Sequence, residues 1–395
     1  ACHGAERGLC GDGRAGQAAP PPPRVEHQTP LVGLSDSITV EEVRRRLSKL
    51  ERRKATGPDR IAAAELREVV DELAPGLTSL LNNVLRTGCY PQGWQHGVVV
   101  PIYKGKGARS KPGNYRPIRL LSNAGKLLEG ILAGRLRDAL VAAGRFPAEQ
   151  GGFRKGVGTE ETLLMVTEEL FARTRRPGTD YAAGNAVFLD PSKAFDRVDR
   201  RVLRERLETV RVTGPMLETL DSFLTATTQQ TRVDQQQLSD SLENDHGTPR
   251  GSALSPILFA IFMAGLAERL ESRLILFADD LTLVNTSPTR QQQVDELRAD
   301  LRELQRWADE TGMLFNGGKS THVEFRAPGQ GRRNTSRAWR SEERPSRTRA
   351  RRRFSVSCYP KTLDLNRHAD EVTLPRLRLQ LHYNKHLLPR SGSTG

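Results

Sequence analysis

The apolar positions of the chain fall into helical spacing first, and then helical stretches alternate with short continuous apolar runs. Val43, Leu47 and Leu50 mark one face of a helix that Thr39 and Glu42 open as a capping box and that runs to about Lys54, ahead of Gly57-Pro58-Asp59. Segments 61–73 and 76–87 repeat that spacing on either side of Pro75. Val98 to Tyr103 and residues 117–121 predict two short strands around a basic loop, Lys104-Gly105-Lys106-Gly107. Leu127, Leu128, Ile131, Leu132, Leu136 and Leu140 predict a helix from Ala124 to about Ala143, and a second follows from Thr159 to Arg173. Ala186-Val187-Phe188-Leu189 predicts a buried strand that ends on Asp190. Helices are expected at 200–210, 214–226 and 255–270. Leu274 to Phe277 and Leu281 to Val284 then predict a hairpin with Asp279-Asp280 at its tip. Val294, Leu297, Leu301, Leu304 and Ala308 mark a helix charged on its other face, and 314–325 reads as a turn and a final strand. Beyond 326 the periodicity disappears. Residues 1–34, rich in Gly, Ala and Pro, predict a disordered lead, with order from about Ser37.

Charge narrows the partners. The 395 residues carry a net charge of +14, and ten Arg against two Glu within 331–353 hold +8 of it. Such an excess points to a polyanion, nucleic acid before an anionic membrane. No apolar run approaches the ~18 residues of a membrane span, so no membrane partner is expected. The four cysteines form no CxxC pair and no disulfide framework, which fits a reduced, intracellular setting; Cys2, His3 and Cys10 fall short of a four-ligand zinc site.

The chemistry lies in three carboxylates. Asp190 and the pair Asp279-Asp280 each terminate an apolar strand. Like charges so near a core repel and call for a counter-charge, and hard oxygen donors suit Mg2+. Two such ions ~3.5–4 Å apart activate a hydroxyl and stabilise the leaving oxygen of an in-line phosphoryl transfer, with ligands drawn from different strands. Many folds place an Asp at a strand end, so this pattern alone does not fix the chemistry.

Seven strings in order are more specific. They are Ala55-Thr56-Gly57-Pro58-Asp59, Asn114-Tyr115-Arg116-Pro117-Ile118, Gly152-Phe153-Arg154-Lys155-Gly156, Phe188-Leu189-Asp190 with Ala194-Phe195-Asp196, Gly247 to Phe259, Phe277-Ala278-Asp279-Asp280, and Gly312-Met313 with Lys319-Ser320. Together they resemble the reverse transcriptases of non-LTR (LINE-type) retrotransposons over about residues 38–326. The resemblance implies an α+β right-hand polymerase with an antiparallel palm sheet flanked by helices and an incomplete thumb. It implies a helical N-terminal extension at 35–95, fingers at 96–180, a palm at 181–326 and a basic tail or degenerate thumb at 327–395. It also implies an RNA template, a DNA primer, dNTP substrates, two Mg2+ ions (Mn2+ as substitute) and action in the nucleus. The oligomeric state stays open.

Carried over by residue, the resemblance makes Asp190 and Asp279 the main metal ligands, with Asp280 weaker. Lys104 and Arg116 would hold the triphosphate, Phe195 would exclude a 2′-hydroxyl, and Lys319 would lie near the departing pyrophosphate. Arg154 and Lys155 would touch template backbone. Arg250 and Gly251 fall in the turn beside the nucleotide, where the family has Gln instead of Arg250. Pro191 replaces a bulky apolar residue. These departures leave a second expectation open, a nucleic-acid-binding relative that does not polymerise.

Overall fold

The computed structural model describes residues 29–172, 184–232 and 237–326, with the backbone of two further strands at 355–359 and 377–379. The lead before residue 29, including Cys2, His3 and Cys10, and the basic tract Arg332–Arg353 lie outside the described residues.

Two sheets organise the rest. The first holds β1 (His96–Tyr103), β2 (Tyr115–Leu120), β4 (Thr228–Thr231) and β5 (Leu242–Glu243) in the order β2-β1-β4-β5. β1 and β2 form an antiparallel hairpin, and β4 runs parallel to β1. The second holds β3 (Asn185–Leu189), β6 (Arg273–Phe277), β7 (Asp280–Asn285), β8 (Thr321–Arg326), β9 (Ser355–Tyr359) and β10 (Leu377–Leu379). Its order is β10-β9-β8-β3-β7-β6, and every pairing is antiparallel. The antiparallel α+β architecture expected from the sequence is present.

The two faces of the second sheet differ, because side chains alternate along a strand. Val187, Leu189, Leu276, Leu281 and Leu283 enter the main core with the helices Ser255–Phe262 and Arg290–Thr311. Ala186, Ile275 and Val284 point the other way and pack under Val166 and Leu170 of the helix Thr159–Ala172. That cover stops short: Phe188, next on the same face, is 38% exposed. The open end of this face is the one on which Asp190 and Asp280 lie.

Several boundaries differ from the sequence reading. The first helix ends at Ser48, not near Lys54; Thr39 does accept from Glu42 N, but the Glu42 carboxylate turns to Arg135 instead of closing a capping box. Order begins before Ser37, since Leu31 and Leu34 are already in the core. The helix expected over 255–270 stops at Phe262, and Gly265 takes a positive φ beyond it. β4 was not foreseen because Thr-Gln-Gln-Thr carries no apolar pattern; it is held by backbone pairing and by His96 between Thr228 and Gln230. β9 and β10 add order beyond 326, in stretches too short for periodicity to register.

Pro75 does not divide two helices. Val70–Thr87 is continuous through it, and the break lies at Val69. Pro75 leaves the Asp71 carbonyl without its i+4 donor, a loss outweighed by the burial of Ala74, Leu77, Leu81, Val84 and Leu85 on one side of the helix. Pro75→Ala should therefore stabilise the chain by ~1–2 kcal/mol in urea denaturation, the restored bond exceeding the entropy gained by the unfolded chain.

Candidate active site

β3 delivers Asp190 to the open end of the sheet. Its last paired residue, Leu189, stands opposite Leu281, so the register continues to Asp190 beside Asp280. Residues directly opposite on one face have Cβ atoms ~4.5–5.5 Å apart. The chain after Asp190 is fixed by the turn that precedes β8. Asn316 N donates to Asp190 O at 2.8 Å and Ser192 N donates to Leu314 O at 2.7 Å. Between these two bonds Pro191 bridges Phe315 without needing an N–H, which explains why proline is tolerated there.

β6 and β7 bring in the other two carboxylates. Phe277 pairs with Asp280, leaving Ala278 and Asp279 as a two-residue loop. Only the first of them has a positive φ, 55° at Ala278. That is the pattern of a II′ hairpin turn, which normally favours glycine at this place. Asp279 therefore stands at the tip and Asp280 begins β7. The Asp280 carboxyl is pushed above the usual carboxylate range by partial loss of water, and then by the charges of Asp279 and Asp190; Lys319 works in the opposite direction.

Lys319 supplies the local counter-charge: Nζ lies 2.8 Å from Asp190 Oδ2. Both groups are partly exposed, so the pair adds little to stability. As chemistry it says more, because an ammonium is already drawn to one carboxylate of a cluster that lacks positive charge. The donors are hard oxygens and fit Mg2+ or Mn2+. Among the described residues, no three His, Cys, Asp or Glu side chains are already gathered closely enough to hold an ion. The backbone brings the three carboxylates to one end of the sheet without gathering their side chains.

A second group of predicted residues lies around the loop 247–253. Gly247 N donates to Val198 O at 2.9 Å and Thr248 N to Phe195 O at 2.8 Å, stitching this loop onto the turn Ala194–Arg197. Gly247 is required there: its φ is 71°, and a Cβ would lie 2.5 Å from Phe195 O. Arg250 Nε donates to Asp196 Oδ1 at 2.7 Å, so the unexpected arginine pairs with the residue after Phe195. Phe195 is half-buried and begins a line of rings that passes through Phe259, Phe262 and Trp307 to Phe315. On its other side the loop meets β2: a Cβ on Gly251 would lie 2.8 Å from Arg119 O.

Beneath that contact lies a polar network the sequence did not reveal. Glu129, on the helix Asn123–Ala142, is 0% exposed, and it accepts from Tyr90 Oη at 3.0 Å and Ala253 N at 3.0 Å. Burial pushes its carboxyl up, countered by bonds from Ser252, Ala253 and Tyr90. Arg119, 4% exposed, donates to the Gln95 and Thr228 carbonyls and is lowered to about 10 by burial. Also missed was Gln150, fully buried against the hairpin tip.

Residues 103–348 match the family of reverse transcriptases (RNA-dependent DNA polymerases). The chain belongs to the reverse transcriptase family. It is similar to the RNA-directed DNA polymerase from mobile element jockey of Drosophila melanogaster, with 29% identity over 298 residues, 73% of this chain and 32% of that protein. The jockey polymerase of Drosophila funebris gives 30% over 300 residues, 74% and 32%. The probable RNA-directed DNA polymerase from transposon BS gives 30% over 296 residues, 73% and 32%, in Drosophila melanogaster. The chain thus spans about a third of the length of these curated relatives. The family resemblance read from the seven strings holds.

The remaining family positions are dispersed. Lys104 and Arg116 are exposed on the β1–β2 hairpin of the first sheet, Lys104 donating through Nζ to Gly113 O at 2.8 Å. Arg154 turns inward, donating to Pro147 O at 2.7 Å with its guanidinium 4.7 Å from the Phe146 ring centre. Its neighbour Lys155 is exposed. Among the described residues no helix is long and apolar enough to cross a membrane.

Proposed function

We propose that the chain is the polymerase segment of a retrotransposon protein, an RNA-directed DNA polymerase that adds dNTPs to a primer 3′-hydroxyl. The observation that carries this reading is the register of β3 against β7, which sets Asp190 beside Asp280, one residue from Asp279, at the uncovered end of the sheet. In this reading the second sheet is the palm, the β1–β2 hairpin belongs to the fingers, and any thumb follows β8. An RNA template and a primed DNA strand are its partners and the nucleus is its place of action.

Asp190, Asp279 and Asp280 would hold the two divalent ions, which supply activation of the attacking hydroxyl and charge stabilisation of the departing oxygen. The chain's own cations handle phosphate. Lys104 and Arg116 bind the triphosphate, and Lys319 offers its ammonium to the pyrophosphate as it leaves. Lys155 meets template backbone, which contributes affinity without sequence information. Gly251 lets the nucleotide-side loop approach β2, and Arg250 fixes that loop to Asp196. Phe195 lies under the incoming sugar and excludes a 2′-hydroxyl.

The test is Mg2+-dependent extension of a DNA primer annealed to an RNA template by the purified chain. A folded chain that gives none overturns the reading. In the same assay Phe195→Ala should relax discrimination against ribonucleotides by about tenfold to a hundredfold, the range for removing a steric contact; unchanged sugar selection removes the gate role. One observation favours a second reading, RNA binding without turnover. Arg250 is engaged with Asp196 in a charged pair that the family's neutral Gln could not make. This reading expects salt-sensitive RNA binding and no extension.

A further inference from the structure

We infer that Gln150 is a positioning residue that sets the shape of the Ala278-Asp279 turn, and through it the placement of the Asp279 carboxylate. Its side chain grips both ends of one residue. Oε1 accepts from Ala278 N at 3.0 Å, and Nε2 donates to Ala278 O at 3.1 Å. Oε1 also accepts from Gly152 N at 2.8 Å, which fixes the amide's own orientation.

The residue it grips is the one that needs holding. Ala278 has a φ of 55°, a conformation that favours glycine and that an alanine leaves readily when nothing holds it. Ala278 is joined directly to Asp279, so a change at its peptide swings the carboxylate at the tip. The surroundings serve the same contact. Gly151 N donates to Leu276 O and Leu276 N donates to Glu149 O, both at 2.8 Å, so 149–151 runs alongside the last residues of β6. Gly152 has no room for a side chain: a Cβ would lie 2.4 Å from Ala278 N. A segment 128 residues earlier in the chain is thereby fitted to the tip with no gap.

A buried amide needs partners wherever it lies, and a purely structural Gln150 would affect the stability of the whole sheet. A positioning role makes a narrower claim, that the loss is confined to the tip and to the turnover step. It rests on the polymerase reading for its catalytic half only.

The experiment uses the full chain with Gln150→Leu, which keeps the volume and removes all three bonds, and Gln150→Glu, which keeps the acceptor and loses the donation to Ala278 O. Hydrogen exchange followed by mass spectrometry reads peptides spanning 276–281 and, separately, β3 and β8. Primer extension under single-turnover conditions reads rate against dNTP concentration. We expect exchange at 276–281 to accelerate about tenfold or more in Gln150→Leu, the effect of unpaired buried amides, with β3 and β8 unchanged. Extension should fall about a hundredfold in maximal rate with the dNTP concentration at half-maximal rate within about twofold. Gln150→Glu should fall between wild type and Gln150→Leu, and it carries the test if the leucine variant does not fold. Unchanged exchange at the tip, or equal acceleration across the sheet, overturns the proposal. Wild-type chain without extension defeats the polymerase reading, while the exchange pattern still decides the clamp.

Discussion

Asp279→Ala should abolish extension and leave the fold intact. Removing one of three carboxylates that would hold the ions takes away several kcal/mol of charge stabilisation. The rate should fall by at least about a thousandfold, since each ~1.4 kcal/mol is tenfold. Stability should move in the opposite direction from that of an ordinary buried-site variant. Asp280 is pushed up by partial burial and by its two acidic neighbours, so its folded pKa lies above its unfolded one. The stability tied to that shift is fully present below the ordinary carboxylate value and is lost as pH rises through the raised one. At neutral pH the cluster therefore repels itself, and deleting Asp279 relieves part of that repulsion. Melting temperature at pH 7 should equal or exceed that of wild type, with the gap closing as the pH is lowered through the raised value. A variant that melts well below wild type at pH 7 would mean that Asp279 is structural and not part of an ion site.

Glu129→Leu should have the largest effect on stability. It removes the acceptor for Tyr90 Oη and Ala253 N and leaves Arg119, whose Nε and Nη1 already have no hydrogen-bond partner, without a nearby carboxylate. Breaking a buried charged network by removing one member destabilises by ~3–5 kcal/mol. Urea denaturation should show a lower midpoint with an unchanged slope. Because burial raises Glu129 above its unfolded pKa, wild type gains relative to the variant as pH falls through that raised value and loses as pH rises. A midpoint shift of under ~1 kcal/mol would show that water replaces the lost acceptor.

The parts of this fold that were legible in the sequence are those in which one residue's environment is set by its near neighbours. Strands β3 and β6 announce themselves by apolar runs that lead up to a carboxylate, β7 by one that sets out from a carboxylate, and the helix Asn123–Ala142 by its leucines. The convergence of Asp190 with Asp280 is suggested by carboxylates at strand ends and made specific by the family pattern, since nothing local says which strand pairs with which. Gln150 and Glu129 went unnoticed for the same reason. A buried polar side chain is justified by a partner 124 or 128 residues away, and a single sequence shows the group without the partner. The family pattern makes Arg154 a template contact, and in the fold its guanidinium lies over the Phe146 ring, a use of arginine that sequence patterning does not distinguish. Pro75 looked like an interruption and Pro191 like a departure from the family pattern. One is absorbed by a well-buried helix and the other sits where no amide hydrogen is wanted.

The strip 149–151 along β6 has a consequence beyond the turn it supports. A bare strand margin next to a reactive centre is a template onto which another extended chain can hydrogen-bond. Here the margin nearest the acidic tip is already occupied by the protein's own backbone. Another strand cannot add at Leu276, whose amide and carbonyl are both taken.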